Sequence, residues 1–368
     1  MISGHACSSG ALQIFLSKIG LKSKWGGWID GKEQYKFDYV FLLEKDLNKK
    51  FIFTTEIVEL NVSIREKMLA LMQQKNLKVI VFYKDPISVL RTIINMHQIE
   101  NNCKNRYFLD EKLDCKLPVL GYKYNADNLL HFYQSGFFTV AYYSTFIHQR
   151  FLNGFTGNEI IVFDDSSVNE QNVVNTMIFF INKFNLNIDI ESIVESFNFN
   201  LKISYSTSIF RFLLPIHLKI KIDRSVIEII INFKANNCIR DDSKLICQDC
   251  IVLNNIPLSI HIIKYDVEFI VKYKKEILDK IYFFINLIKS KYEYLENDKI
   301  HESHIINFLR INNSPRNFFR NMINEEFYYI KQHRPDIVAS WKYYQEFEKM
   351  CEELDGKEDS LKENISNN

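Results

Sequence analysis

The sequence predicts an α/β fold: a parallel sheet with helices on both faces, then a β-rich insertion and a helical C-terminal part. Three observations carry this expectation. Two short runs, Lys78-Val79-Ile80-Val81-Phe82-Tyr83 and Glu159-Ile160-Ile161-Val162-Phe163, are almost continuously apolar and bounded by charge, the pattern of strands buried on both faces. Amphipathic helical periodicities alternate with them over the first 199 residues. From residue 200 the pattern turns to β-branched runs, and after Asp266 it is helical.

The elements follow in order. Small residues Ser3 to Gly10 lead into a helix over 11–20, with Leu12, Phe15, Leu16 and Ile19 on one face. Short strands are expected at Tyr39 to Leu43 and Phe51 to Thr54, and a helix over 63–75. The run ending at Tyr83 meets Lys84-Asp85-Pro86, where Asp85 can cap a helix and Pro86 can open it. A polar loop is expected at 101–124 and a long, aromatic-rich helical region at 125–153. The next strand ends at Asp164-Asp165, before a helix over 170–184. Strands are expected at Leu218 to Ile222, Val226 to Phe233 and Ile260 to Ile263, with turn signals at Asn236-Asn237 and Asp241-Asp242. The domain reading is therefore 1–199 as the α/β core, 200–265 as the insertion, 266–354 as helices packed on the core, and 355–368 as a polar, disordered tail.

Composition narrows the function. The chain has 368 residues, 47% hydrophobic and 25% charged, enough for a substantial core. A formal net charge of +1 gives no global electrostatic case for nucleic acid or an anionic membrane. No stretch approaches the ~18 apolar residues of a transmembrane helix, and the start lacks the basic and apolar regions of a secretory signal. Seven scattered cysteines read as reduced thiols, so a cytoplasmic location is expected.

The segment Ser8-Ser9-Gly10-Ala11 is the first candidate site. Free N–H groups and the positive helix end favour a phosphate there. It is not a Walker A loop: Gly4 and Gly10 are six apart, and Ala11 stands where Lys belongs. Only a few residues precede it to form the usual strand, so the first strand is short or the chain is a late start. The second candidate is Lys84 at a strand end, with the Thr92 hydroxyl two helical turns on.

Together these motifs resemble the sulfotransferase superfamily, over residues 1–187. Ser9-Gly10 is similar to the loop that holds the donor 5′-phosphate. Lys84-Asp85-Pro86 with Thr92 is similar to the strand end and helix that hold its 3′-phosphate. Glu159 to Asp165 looks like the later strand of that fold, and Phe184-Asn185-Leu186 like the end of its following helix. Here Ser8 replaces the loop cation, leaving His5 as the nearest, and Lys84 replaces an Arg. The segment Ile330 to Tyr344 resembles the C-terminal part of an epsilonproteobacterial family associated with capsule and surface-glycan genes. Within it Ser340-Trp341-Lys342 is faintly similar to a donor-contact segment, and a Pro335-initiated amphipathic helix packed on the core is the reading it fits better.

The resemblance implies a three-layer, sulfotransferase-like transferase. It would move a sulfuryl or phosphorus-containing group from 3′-phosphoadenosine 5′-phosphosulfate to a sugar hydroxyl of a surface glycan, without a metal. Ser8, Ser9, Gly10 and Ala11 would cradle the donor phosphate; Lys84 and Thr92 would hold the distal one. Glu56 and His5 are the candidate bases, and Arg91 and His97 the candidate acceptor contacts; for each, an ordinary loop or surface role is the alternative. Cys238, Cys247, Cys250 and His261 form a possible but irregular zinc set. A nucleotide-sugar glycosyltransferase and a non-catalytic glycan- or partner-binding protein remain as alternatives.

Overall fold

The computed structural model describes residues 2–3, 9–24, 51–53, 78–96, 106–109, 125–136, 146, 148–155, 157–188, 194, 214–234, 241–247, 252–253, 256–264 and 266–366. In chain order the first elements are β1 (Ile2–Ser3), α1 (Ser9–Lys18), β2 (Lys22–Lys24), β3 (Phe51–Phe53), β4 (Lys78–Tyr83), α2 (Pro86–Met96), β5 (Arg106–Leu109), α3 (Leu129–Gln134), α4 (His148–Leu152), β6 (Glu159–Asp164) and α5 (Val173–Lys183). Then come β7 (Ile216–Ile222), β8 (Ser225–Phe233), α6 (Ser243–Ile246), β9 (Val252–Leu253), β10 (Ile256–Lys264), α7 (Val267–Lys272) and α8 (Lys274–Asn297). The chain closes with α9 (Glu302–Ile311), α10 (Asn313–Glu326), α11 (Tyr328–His333), α12 (Pro335–Ser340) and α13 (Lys342–Ser366).

The fold is mixed α/β and divides into two compact units. Unit 1 takes residues 1–94, 126–200 and 300–368; unit 2 takes 95–125 and 201–299.

Unit 1 is built on the parallel sheet β1-β4-β6. Val79 to Tyr83 of β4 are all buried, so both faces of the central strand are covered. On the outer strand β6, Ile161 and Asp164 are buried while Ile160, Val162 and Phe163 are half-buried. The expected face of α1 is the real one: Leu12, Phe15, Leu16 and Ile19 are buried. Among the described aromatics of 132–155, Phe132, Phe146, Phe151 and Phe155 are buried. A second parallel pair joins β2 and β3.

Unit 2 is a five-stranded sheet, β5-β7-β8-β10-β9, antiparallel except for the β5–β7 pair. Alternation builds it: Ile216, Leu218, Ile220 and Ile222 of β7 face inward, while Lys219 faces solvent. Ile277, Ile281, Phe284 and Ile288 of α8 recur at helical spacing and join the same core. The tight turn is Asp223-Arg224, where Asp223 has φ +52° and accepts a hydrogen bond from Tyr273 Oη at 2.8 Å. Asp tolerates that left-handed backbone better than most side chains do.

Several expectations change. The loop expected at 101–124 contains a strand, Arg106–Leu109, whose alternating burial fits the edge of the unit 2 sheet. The expected helix at 125–153 is two short helices among the described residues, α3 and α4. The last strand ends at Lys264, but α8, expected to pack on the α/β core, joins the core of the unit 2 sheet. The tail expected to be disordered continues α13 as far as Ser366. Its Glu, Lys and Leu content favours helix, a propensity that polarity alone conceals. The expected strand at 39–43 and helix at 63–75 lie outside the described residues.

Candidate functional site

Ser3 pairs with Phe82, and Phe82 with Phe163, all in parallel register. The chain therefore leaves β1, β4 and β6 at one edge, the carboxyl edge at which open α/β sheets bind ligands. α1 begins at Ser9, six positions after Ser3, so its first-turn N–H groups belong to the first connection from that edge.

Lys84 follows the central strand. Its Nζ lies 3.6 Å from Asp165 Oδ2, and its side chain is only 12% exposed. The other Asp165 oxygen, Oδ1, is buried and has no hydrogen-bond partner among the described residues. The neighbouring Asp164 is engaged differently: its Oδ1 accepts from Ser166 Oγ at 2.6 Å and Ser167 Oγ at 3.2 Å.

Asp85 ties two helices together. Its Oδ1 accepts from the Ile87 and Ser88 amides of α2, at 2.9 and 3.4 Å. Its Oδ2 accepts from the Tyr343 and Tyr344 amides of α13, at 3.0 and 3.2 Å. One carboxylate thus caps two helix N-termini that are far apart in sequence. Burial pushes the Asp85 carboxyl up, against the opposing pull of these four N–H groups.

On α2, Arg91 Nη1 meets Glu302 Oε1 at 3.1 Å, and Ser88 Oγ donates to the same oxygen at 2.9 Å. Glu302 is buried at the start of α9. Thr92 Oγ1 donates to the Ser88 carbonyl at 2.8 Å, a back-bond within the helix.

Behind the edge lies a buried pair. Tyr83 stacks on His148 with centroids 4.2 Å apart, and Phe327 meets both rings edge-on. His148 Nε2 is 2.9 Å from the Phe82 carbonyl, which can only accept, so Nε2 carries the hydrogen and Nδ1 the lone pair. Neither Nδ1 nor Tyr83 Oη has a partner among the described residues. Burial pushes His148 down to about 4 and raises Tyr83. Glu326, fully buried, accepts from the Gln149 and Arg150 amides at the start of α4 and pairs with the Arg150 guanidinium.

Arg334, between α11 and α12, donates to the Val162 carbonyl of β6 at 3.4 Å and pairs with Asp336 at 2.7 Å. Trp341 is buried and packs against Phe327 at 5.5 Å, so it is a core residue, while Ser340 and Lys342 on either side of it are exposed. Pro335 opens α12 as expected.

A family model described as a protein of unknown function (DUF2972) matches residues 162–354. The chain belongs to the DUF2972 family. No curated protein and no solved structure matches it. The DUF2972 match starts inside β6 and ends in α13. It contains Asp164, Asp165, Glu302, Glu326 and Arg334, whereas Lys84, Asp85 and His148 precede it.

Of the residues singled out in the sequence, Ser9, Gly10 and Ala11 form the first turn of α1, and Lys84 lies on the same sheet edge. Arg91 and Thr92 are on α2 with the structural partners given above. His5, Ser8, Glu56 and His97 lie outside the described residues. In unit 2, Cys247 is a buried free thiol, and His261 Nδ1 lies 3.2 Å from Asp242. Cys238 and Cys250 lie outside the described residues, and among the described residues no three metal-ligating side chains gather. No helix among them is long and apolar enough to cross a membrane.

Sequence reasoning missed Asp165, Glu302, His148 and Glu326. Asp165 had a usable signal, its place at a strand end in register with Tyr83-Lys84. The other three are polar residues inside helical patterns, where nothing in the sequence marks burial.

Proposed function

We propose that this DUF2972 protein is a group transferase that binds a phosphorylated nucleotide donor at the carboxyl edge of its parallel sheet. The observation that supports this is the pairing of Ser3 with Phe82. It sets the end of β1, the strand that leads toward α1, beside the end of β4, which Lys84 follows, so the two phosphate elements read from the sequence both come after neighbouring strands. Backbone N–H groups and one partly shielded ammonium are the donor set a nucleotide phosphate needs.

The finer reading is a three-layer, sulfotransferase-like enzyme acting on a sugar hydroxyl of a surface glycan. The acceptor oxygen bonds to the transferred atom, the bond from that atom to the nucleotide phosphate breaks, and a carboxylate such as Glu56 takes the hydroxyl proton. Ser9 to Ala11 and Lys84 hold the leaving phosphate as its charge develops.

A thermal-shift titration of the full chain tests this, with 3′-phosphoadenosine 5′-phosphate, ADP, CDP and UDP compared. Ligand at 100 times Kd stabilises by about 2.7 kcal/mol. A shift with at least one nucleotide, lost in Lys84→Ala, supports the transferase reading. Selectivity for the 3′-phosphorylated compound supports the sulfuryl donor, and selectivity for CDP or UDP a sugar-nucleotide donor. A folded protein that responds to none of them overturns the reading in favour of a binding scaffold.

A further inference from the structure

We propose that unit 2 carries a sugar-binding site: an open groove lined by the β7–β8 turn and α7 takes the ring of a neutral sugar. The site lies within unit 2, on its surface, and does not depend on the donor reading above.

The groove encloses about 460 Å³, within the range that small-molecule sites occupy. The turn Asp223-Arg224-Ser225 lines it together with α7 and its two flanking residues, Asp266 and Tyr273. Two hydrogen bonds fix its shape. Tyr273 Oη donates to Asp223 Oδ2 at 2.8 Å and ties the turn to the end of α7. Asp266 accepts from the Glu268 amide at 3.0 Å and caps the start of α7. Phe269 is half-buried, with its ring 4.6 Å from that of Tyr273, and gives a polar groove an apolar wall.

Charge decides the class of ligand. Three carboxylates, Asp223, Asp266 and Glu268, outnumber the cations Arg224 and Lys272 in the lining, so a phosphate or other anion meets net negative charge. An ammonium finds its aromatic position taken, because Lys272 Nζ already lies 4.8 Å from the centre of the Tyr273 ring. The opposite charges of the groove nevertheless do not pair with one another. Among the described residues, Arg224, Lys272 and Glu268 have no ion-pair partner, and the side chains of Arg224, Ser225 and Glu268 make no hydrogen bond within the protein.

Uncommitted donors and acceptors in one groove call for a neutral partner that is both. A sugar hydroxyl accepts from a guanidinium and donates to a carboxylate, and a serine hydroxyl serves it either way. Bonds of this kind to charged groups are the stronger ones. The C–H face of a sugar ring is apolar and covers Phe269 while the hydroxyls meet Arg224, Ser225 and Glu268. An open-chain polyol has the hydroxyls without that face.

Methyl NMR of the full chain tests this. Val267 and Val271 are exposed and stand in sequence beside lining residues, so their methyl groups report on the groove. D-Glucose, D-galactose, D-mannose and N-acetyl-D-glucosamine are titrated in turn, with sorbitol, D-glucuronate, D-glucosamine and inorganic phosphate for comparison. At least one of the four neutral sugars should move the Val267 and Val271 signals saturably, and at lower concentration than any of the comparison compounds. Arg224→Ala and Glu268→Gln change exposed residues, and each should weaken that sugar about tenfold. No saturable shift at these valines with any neutral sugar overturns the inference, as does tighter binding of the uronate, the amino sugar or phosphate; neither result needs a variant. Variants that melt normally and bind the sugar as the native chain does also overturn it.

Discussion

In unit 2 the buried polar groups are stitched into the sheet. Asp242 Oδ2 accepts from the Ile262 amide at 2.9 Å and lies 3.2 Å from His261 Nδ1, while Ser243 Oγ accepts from the Ile260 amide and donates to Asp241. Burial would raise the Asp241 carboxyl, but hydrogen bonds from Ser243 and Lys234 outweigh it and hold it at about 2. The rest of that core is aliphatic, dominated by isoleucine from β7, β8, β10 and α8. Unit 1 instead collects polar groups at one edge and leaves capacity unused there: Tyr83 Oη, His148 Nδ1 and Asp165 Oδ1 are buried without partners among the described residues. Unpaired buried polar atoms cost stability. Three of them gather near the ends of β4 and β6, whereas Gln13 Nε2 and Glu348 Oε1 lie elsewhere in unit 1; under the proposed function the first group is where a ligand would supply what is missing.

The largest expected effect tests whether nucleotide binding stands apart from the core of unit 2. Phe284 is fully buried, 5.2 Å from Tyr107 by ring centroid. Phe284→Ala should cost about 3–5 kcal/mol, read as a lower urea midpoint. Nucleotide affinity of the remaining folded protein should be unchanged. A matching loss of affinity at temperatures where the variant is folded would break the comparison.

Acid sharpens it from the other side. His148 takes its proton near 6.5 when unfolded but only near 4 when folded, because burial disfavours the charged ring. The unfolded state therefore binds more protons between these values. The stability His148 contributes is complete above pH 6.5 and falls as the pH drops toward 4, by about 3 kcal/mol over the whole window. Urea midpoints measured from pH 7 to pH 5 should show the fall. His148→Gln, which keeps a donor for the Phe82 carbonyl, should flatten it; an unchanged slope would remove His148 from the account.

Much of this architecture is legible in the sequence, and the reason is periodicity. The continuous apolar run of β4 and the i, i+3, i+4 spacing of Leu12, Phe15, Leu16 and Ile19 are local patterns, and local patterns survive folding. The strand at Arg106–Leu109 is too short to stand out within a polar stretch, and its partner β7 lies more than 100 residues away. The site divides in the same way. Lys84-Asp85-Pro86 reads as a strand-to-helix junction because capping chemistry is local. That Asp85 also caps α13, or that Glu302 holds Arg91, depends on contacts spanning over 200 residues that no spacing encodes.

The smallest effect compares matched substitutions in the two units. Asp85→Asn keeps one acceptor for two of the four amides but turns an NH₂ group toward the others, setting donor against donor. Removal of a buried charge offsets part of that loss, so the expected cost is about 1–2 kcal/mol. Asp242→Asn can keep its carbonyl oxygen on both the Ile262 amide and His261, which share Oδ2, so it loses mainly the charge and should cost about 1 kcal/mol or less. The two should separate in function. Asp85 is the neighbour of Lys84 and fixes where α2 and α13 begin relative to the sheet edge, so Asp85→Asn should weaken nucleotide binding severalfold while Asp242→Asn leaves it alone. Equal effects of the two variants on binding, measured by titration at matched stability, would mean that the polar groups of unit 1 are scaffolding of the same kind as those of unit 2.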